Sequence, residues 1–411
     1  MAVRASPAVD AARRSAWRTT SSGPPTGAPA ASAEASRAVS AFAQRVIAWQ
    51  RAHGRHDLPW QASRDPYRIW LSEVMLQQTQ VATVIPYYQR FLAAFPDVAS
   101  LAAAPAEQVL ALWSGLGYYS RARHLHRAAN EVMTRFGGSM PTDPEALASL
   151  PGIGRSTAAA IAVFSVGERA AILDGNVKRV FLRHGAIDGD PGSGAVLAQL
   201  WALAQARLPA SDLPAYTQGL MDLGATVCTR SRPACGRCPL AVDCRALASA
   251  RPTDWPQPRR RPAAPRRDLP LLLIRRGDAV LLQRRPERGI WGGLWCPPVC
   301  DRPPASAAEA IAAAADLLVA LGEADAGAAC AGGATVRALT VFEHALTHFR
   351  LVIAPWQVDL PVASAPAATG AAALIDCRWW PLRDCADAAL PVPARRLLAG
   401  LAPDASSPGE P

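Results

Sequence analysis

Apolar residues recur first with a helical period and then with an alternating one, and the change comes near residue 250. "AFAQRVIAWQRAH" (41–53) and "RIWLSEVMLQQTQVATVIPYYQRFLAAF" (68–95) carry them at spacings of three and four, as amphipathic helices do. The same period predicts helices over 106–113, 120–136, 144–149, 155–166, 175–184, 195–206 and 214–226. Short connections bearing Pro or Gly, such as "FPDV", "FGGSMPTDP" and "DGDPGSG", separate them. Strand patterns are almost absent from this part.

Beyond it, "RPTDWPQPRRRPAAPRRD" (251–268) is rich in proline and arginine, which predicts an extended, partly polyproline-like linker. The pattern then alternates. "LPLLLIRRGDAVLLQRR" reads as two strands around a Gly-Asp turn. "FEHALTHFRLVIAPWQVDL" and "LIDCRWWPL" add further strands, and "AAEAIAAAADLLVAL" is a helix between them. The expected fold is an all-α domain over 39–250 followed by an α+β domain over 269–401. Residues 1–38, rich in Ala, Ser, Pro and Arg without periodicity, predict a disordered tail, and 402–411 a second one.

Length and charge narrow this picture. A chain of 411 residues has room for two or three domains. Its net charge of +10 suits a polyanionic partner as well as plain solubility. Almost all the positive charge is arginine, and Lys178 is the sole lysine. Apart from it and the N-terminus, no amine is available to form a Schiff base. No apolar run reaches the ~18 residues of a membrane helix, and the arginine-bearing N-terminus lacks an apolar secretion segment. A cytoplasmic protein is therefore expected.

Three stretches carry candidate chemistry. In "LPGIGRSTAAAIAVFS", from Leu150, Gly152 and Gly154 leave amides bare at a helix start, a turn suited to an anion. In "SEVMLQQTQV", Glu73 stands among Trp70, Val74, Met75 and Leu76. A surface glutamate is the plainer reading, but partial burial would raise its pKa and let it deliver a proton near neutral pH. In "ILDGNVKRV", Asp174 is placed to cap the following helix, and an anion there can also stabilise a nearby cation. Such a carboxyl pair is what glycosidic bond breaking needs.

Cys228, Cys235, Cys238 and Cys244 follow a C-x6-C-x2-C-x5-C spacing. Four thiolates so close can surround one metal centre. Zinc is the stronger rival to an iron-sulfur cluster, and two disulfides the weaker one. The spacing resembles that of helix-hairpin-helix DNA glycosylases of the endonuclease III type, where it holds a [4Fe–4S] cluster. "LPGIG" then resembles their hairpin, whose amides clasp a DNA phosphate. Lyase members carry a lysine where Ser156 stands here, so the resemblance implies a monofunctional glycosylase that leaves the backbone intact.

Within that superfamily, "LPW" (58–60), "SEVMLQQTQV", "WSGLGYYSRARHL" (113–125), "LPGIGRSTAAAI", "ILDGNVKRV", "TQGLMDLGATVC" and the cysteine set resemble the adenine DNA glycosylases of the MutY type. The resemblance covers nearly all of 40–250. It implies excision of adenine mispaired with 8-oxoguanine or guanine in double-stranded DNA, by a monomer in the bacterial cytosol near the nucleoid. Glu73 then matches the general acid, Asp174 the carboxylate facing the sugar cation, and Asn176 its ordering neighbour. Tyr118 resembles the wedge beside 8-oxoguanine, and Gln78 the residue filling the vacated duplex position, with Gln77, Thr79 and Leu116 close by. Trp60, Leu76 and Gln218 resemble walls of the adenine pocket. Gly152, Gly154, Ser156 and Lys178 belong to the DNA-contacting set.

"GIWGGLWCPP" (289–298) and "FEHALTHFRL" (342–351) resemble the MutT-like (Nudix) C-terminal domain of the same family, which reads 8-oxoguanine. The helix over 307–323 lacks the carboxylate cluster that a Nudix hydrolase uses to hold magnesium, so nucleotide hydrolysis is not expected. The family's Phe-Ser-His loop reads Leu346-Thr347-His348 here, which leaves Thr347 and His348 as the candidate contacts. Two other functions stay open from sequence: an endonuclease III-like glycosylase/lyase for oxidised pyrimidines, and a non-catalytic iron-sulfur DNA-binding module.

Overall fold

The computed structural model describes residues 30–257, 264–323, 330, 332–361 and 376–401. The expected tails over 1–29 and 402–411, and linker residues 258–263, lie outside the described residues. The first helix, α1, runs from Ala30 to His53, so 30–38 are its opening turns and not part of a tail.

Helices follow in the order read from the sequence: α2 (Pro66–Leu76), α3 (Val81–Ala94), α4 (Val98–Ala103), α5 (Ala106–Trp113), α6 (Ser120–Phe136), α7 (Pro144–Ala148), α8 (Arg155–Val166), α9 (Gly175–Gly185), α10 (Gly194–Ala206) and α11 (Leu213–Asp222). Their starts are set by local chemistry. Asp65, Asp143, Asp174 and Ser193 each accept a backbone amide at the first turn of α2, α7, α9 and α10. Gly167, at φ 72°, ends α8 in the left-handed conformation that glycine adopts without strain.

The chain divides into two compact units, but not at residue 250. One comprises residues 1–81, 97–99 and 127–259; the other comprises 82–96, 100–126 and 260–411. Thus α3, α5 and the first turns of α6 group with the C-terminal domain. Hydrogen bonds join these segments within the unit. Trp295 Nε1 donates to Glu107 at 2.7 Å, the Ser114 hydroxyl donates to the Leu390 carbonyl at 2.5 Å, and Arg123 donates to the Gly292 carbonyl at 2.6 Å.

In the first unit, α1, α8, α9, α10 and α11 enclose a core that includes Phe42, Val46, Val163, Val177, Phe181, Leu200 and Leu220. Gly219 on α11 allows close approach to α1: a Cβ there would stand 2.8 Å from Val46 Cγ1. The start of the expected linker also belongs to this unit. Trp255 Nε1 and Gln257 Nε2 both donate to Asp188 at 3.0 Å, which fastens 251–257 to the helices.

The second unit contains a seven-stranded mixed sheet: β1 (Arg266–Arg276), β2 (Ala279–Arg284), β3 (Trp295–Cys296), β4 (Thr335–Ala338), β5 (Phe342–Ala345), β6 (Arg350–Leu360) and β7 (Cys377–Pro381). The β1–β2 hairpin closes through Gly277 and Asp278, with Arg276 opposite Ala279. β1 runs parallel to β6, pairing Arg266 with Arg350 through to Arg276 with Leu360. The strand begins three residues earlier than the sequence reading placed the domain. Helix α12 (Ala307–Ala320) covers one face through Ala310, Ala314 and Leu318, against Leu272, Ile274 and Val358. A short helix, α13 (Val392–Ala399), follows the sheet.

Candidate active site

Glu73 lies near the end of α2, whose first turn is held by Asp65 accepting the Tyr67 amide at 3.0 Å. Its helix neighbours Trp70, Leu71, Val74 and Met75 are buried. The Glu73 side chain is half-buried, with no hydrogen-bond partner among the described residues. Burial, and then the nearby Asp174 charge, push its pKa up to about 8. The two carboxyl groups, a hundred residues apart in sequence, therefore share one electrostatic environment.

Asp174 is treated differently. Burial raises its pKa, but hydrogen bonds from the Val177 and Asn176 backbone, the Arg179 cation and the Asn176 side chain all pull it back. Its Oδ1 accepts the Val177 amide at 2.7 Å and its Oδ2 accepts Asn176 Nδ2 at 3.3 Å. Asp174 also stands at the positive end of α9. With donors gathered on one carboxyl and none on the other, Asp174 ionises first and Glu73 keeps its proton. Asn176 thus lies beside Asp174 and donates to it, while Asp174 caps α9.

Arg179, also on α9, continues this network. It donates to Asn176 Oδ1 at 2.8 Å, to the Gly224 carbonyl at 2.5 Å and to the Cys228 carbonyl at 2.7 Å. Between α11 and Cys228 the chain makes a π-turn over Leu223–Val227, closed by the Cys228 amide on the Leu223 carbonyl at 2.7 Å. Gly224 lies so close to α9 that a Cβ would stand 2.5 Å from Asn176 Cβ. Sequence reading missed Arg179 as a functional neighbour. Its position three residues after Asn176 was the available signal, since that spacing shares a helix face.

Cys228, Cys235, Cys238 and Cys244 are free thiols lining one cavity with Arg183, Val227, Pro233, Ala241, Leu247 and Pro252. Arg183 is almost fully buried and organises this loop. It donates to the carbonyls of Thr229, Arg230 and Trp255 at 2.7–2.8 Å and to Cys228 Sγ at 3.3 Å. Among the described residues, no group of three or more His, Cys, Asp or Glu side chains converges as a single-ion site. The four thiols line this one cavity with the Arg183 cation beside Cys228, and thiols are the side chains that ligate iron or zinc once deprotonated.

The hairpin is present between α7 and α8. Leu150 and Ile153 are buried, while Gly152, at φ 77°, and Gly154 are exposed. Gly154 is the N-cap of α8 and offers no side-chain hydrogen bond, so the first amides of that helix remain open. Two residues on, Ser156 Oγ accepts the Leu173 amide at 2.9 Å. The residue standing at the lyase-lysine position thus anchors the segment that delivers Asp174. Lys178, on α9, is half-exposed.

The remaining expected contacts divide. Gln78 is exposed at φ 60°, and Tyr118 is 42% exposed at φ 50°. Side chains other than glycine seldom adopt that region outside functional or tightly constrained sites. Tyr118 is also stacked by Arg121, 5.4 Å from its ring centre. Gln77 Nε2 donates to Thr157 at 3.4 Å, and the Thr79 hydroxyl donates to the Gln77 carbonyl at 3.5 Å, which ties this turn to α8. Leu76 is half-buried, and Trp60 is buried at 7% exposure. Leu116 is only 5% exposed and packs within the second unit. Gln218 is buried, with Nε2 donating to Asp222 at 2.8 Å. Thr347 and His348 are exposed at the tip between β5 and β6, where the Leu346 amide meets the Phe349 carbonyl. In the same unit, the Glu323 carboxylate accepts Arg276 at 2.5 Å and Trp379 at 2.9 Å, while Glu309 accepts Arg302. Both are engaged in structural contacts.

Comparison with known proteins agrees with both halves. The model of the HhH-GPD superfamily of base excision DNA repair proteins matches residues 71–206, and a NUDIX domain model matches 271–400. The adenine DNA glycosylase of Buchnera aphidicola (subsp. Acyrthosiphon pisum) is 37% identical over 257 residues, covering 62% of this chain and 73% of that protein. The adenine DNA glycosylase of Homo sapiens is 46% identical over 217 residues, covering 51% of this chain and 40% of that protein. A solved thermostable thymine-DNA glycosylase is 27% identical, with 53% of this chain and 99% of that one covered at a TM-score of 0.48. The chain belongs to the adenine DNA glycosylase family.

Proposed function

We propose that this protein removes adenine paired with 8-oxoguanine or guanine in duplex DNA and leaves the sugar-phosphate backbone uncut. The observation carrying the reading is the pairing of Glu73, its pKa pushed up to about 8, with the hydrogen-bonded Asp174. Neutral Glu73 donates its proton to the departing base, and the N-glycosidic bond breaks toward the base. Anionic Asp174 faces the oxocarbenium-like sugar left behind, and water completes the hydrolysis. Flipping the adenine out costs roughly a few kcal/mol of stacking and pairing. Gln78 and Tyr118 occupy the vacancy and grip the partner base. The hairpin amides at Gly152 and Gly154, with Lys178, hold backbone phosphates, and Thr347 and His348 contact 8-oxoguanine. Ser156 offers no amine for an imine, which disfavours the glycosylase/lyase reading.

The four cysteines hold a [4Fe–4S] cluster, which supplies a rigid anchor for the arginine-bearing loop at Arg230, Arg232 and Arg237. Replacing Cys235 with Ser removes the visible iron-sulfur absorbance and weakens DNA binding. A variant with an unaltered visible spectrum refutes the cluster assignment.

The function is tested by single-turnover excision on duplexes carrying adenine opposite 8-oxoguanine, guanine, cytosine or thymine, scored with and without alkali. Adenine should be released fastest opposite 8-oxoguanine, with strand breaks only after alkali. Glu73→Gln should lower the rate by about 10²–10⁴-fold while sparing DNA binding. The same substitution reports the pKa through stability. From about 4.5 to about 8 the unfolded chain releases the Glu73 proton while the folded chain keeps it. Folded stability therefore falls as pH rises through that window and levels off above it. The variant should melt higher than wild type at pH 8 and equally at pH 4. An excision rate unchanged by Glu73→Gln sinks the acid assignment.

A further inference from the structure

Asp222, the last residue of α11, is fully buried, yet three groups converge on its carboxylate. Arg55 reaches Oδ1 through Nη2 at 2.6 Å and Nε at 2.7 Å, and the Arg55 amide reaches Oδ2 at 2.9 Å. The third group is Gln218, one turn earlier on the same helix, whose Nε2 donates to Oδ1 at 2.8 Å. The carboxylate ion-paired with Arg55 has only acceptors to offer. The end of the Gln218 amide that meets it must therefore be the NH2 group, and the other end must be the carbonyl oxygen Oε1. Gln218 is only 9% exposed, and its Oε1 accepts no hydrogen bond among the described residues. That oxygen is not among the fully buried atoms, so it stands as an acceptor open to an incoming donor.

Arg55 also belongs to the segment that carries Trp60. Its carbonyl accepts Gln61 Nε2 at 3.0 Å, and Gln61 Oε1 accepts the Leu58 amide at 3.2 Å, closing the turn Pro59–Ala62 that holds the buried Trp60. One ion pair thus joins the two elements that supply Trp60 and Gln218.

We propose that Asp222, held by Arg55, is a specificity-determining positioning residue. It locks the Gln218 amide with Oε1 toward the base, so that the pocket accepts the exocyclic amine of a 6-aminopurine and meets the carbonyl of a 6-oxopurine with a second acceptor. The inference rests on the proposed function and on Gln218 lining the adenine pocket, as the family resemblance implies. Adenine and hypoxanthine are nearly the same size, so this contact discriminates by donor and acceptor, not by shape.

The test is single-turnover excision by the full-length protein of adenine and of hypoxanthine, each opposite 8-oxoguanine, with duplex affinity measured in parallel. Asp222→Leu removes the acceptor that fixes the amide, so Gln218 can turn either end outward. The adenine-to-hypoxanthine rate ratio should fall at least tenfold with duplex affinity unchanged. The double variant Asp222→Leu with Gln218→Glu should restore the ratio, because a carboxylate presents an acceptor at either end. If Asp222→Leu does not fold, Gln218→Met decides, since it removes the amide and should collapse the ratio with Asp222 in place. Equal loss of both rates in Asp222→Leu, no rescue in the double variant, or a full ratio in Gln218→Met overturns the inference. Wild-type protein that releases adenine from no mispair at all overturns the proposed function instead.

Discussion

Two helices in the first unit begin in opposite ways. Helix α8 starts at Gly154, exposed and without a side-chain cap, and α9 starts at Asp174, whose carboxylate turns inward onto the Val177 amide. Both starts present the same partial positive charge. The first leaves it open to an anion from outside; the second supplies its own. Ser156, in the first turn of α8, accepts the Leu173 amide next to Asp174 and so ties the two starts together. Under the proposed function, one backbone device serves opposite ends of the site: grip on a phosphate where the cap is missing, and stabilisation of a cation where the cap is charged.

The comparison can be broken most severely at Asp174. Asparagine is as good an N-cap as aspartate, so Asp174→Asn keeps the helix start and discards the charge. Single-turnover excision should fall by about 10²–10³-fold, with the melting temperature nearly unchanged. Retained excision would mean that Asp174 serves only as a cap.

A smaller effect comes from making the open start resemble the closed one. Gly154 has an extended backbone, φ −88° and ψ 169°, and a Cβ there meets nothing within 4 Å. Gly154→Asp should therefore gain a cap worth about 1 kcal/mol and repel phosphate. Thermal melting should rise while duplex affinity drops roughly tenfold, a loss that shrinks in high salt. Tighter or unchanged binding, measured by titration at low salt, would remove phosphate from the hairpin.

The smallest expected effect is at the tie. Ser156→Ala strands the Leu173 amide at a cost of about 1–3 kcal/mol in stability. Excision should slow only a few-fold, because Asp174 keeps its bonds to Val177 and Asn176. A loss as deep as that of Asp174→Asn would give Ser156 a direct part in the chemistry.

Much of this was legible in the sequence because it is written in local chemistry. Asp174, three residues before the Val177 amide it accepts, announces a capped start, and Gly152 and Gly154 announce a tight turn. The Gly277-Asp278 hairpin followed from strand alternation on either side. What the sequence withheld depends on distant partners. Leu116, in a glycine-flanked loop, is only 5% exposed, because packing in the second unit decides its fate. The grouping of α3 and α5 with the C-terminal unit depends on residues distant in sequence, such as Glu107 and Trp295, which no periodicity pairs. The left-handed Gln78 and Tyr118 are also invisible to propensity, since neither residue type favours that conformation.

The π-turn over Leu223–Val227 has a consequence for how this chain can change over generations. It holds one residue more per turn than the helix leading into it, and one helical residue is worth about 100° of rotation. Deleting a single codon there would regularise the helix and swing Cys228 about a quarter of a circle away from its three companions. The same deletion would draw Gly224 out of step with Asn176. A stretch of five residues with no reactive side chain is thus intolerant of insertion and deletion, although several conservative exchanges within it would pass unnoticed.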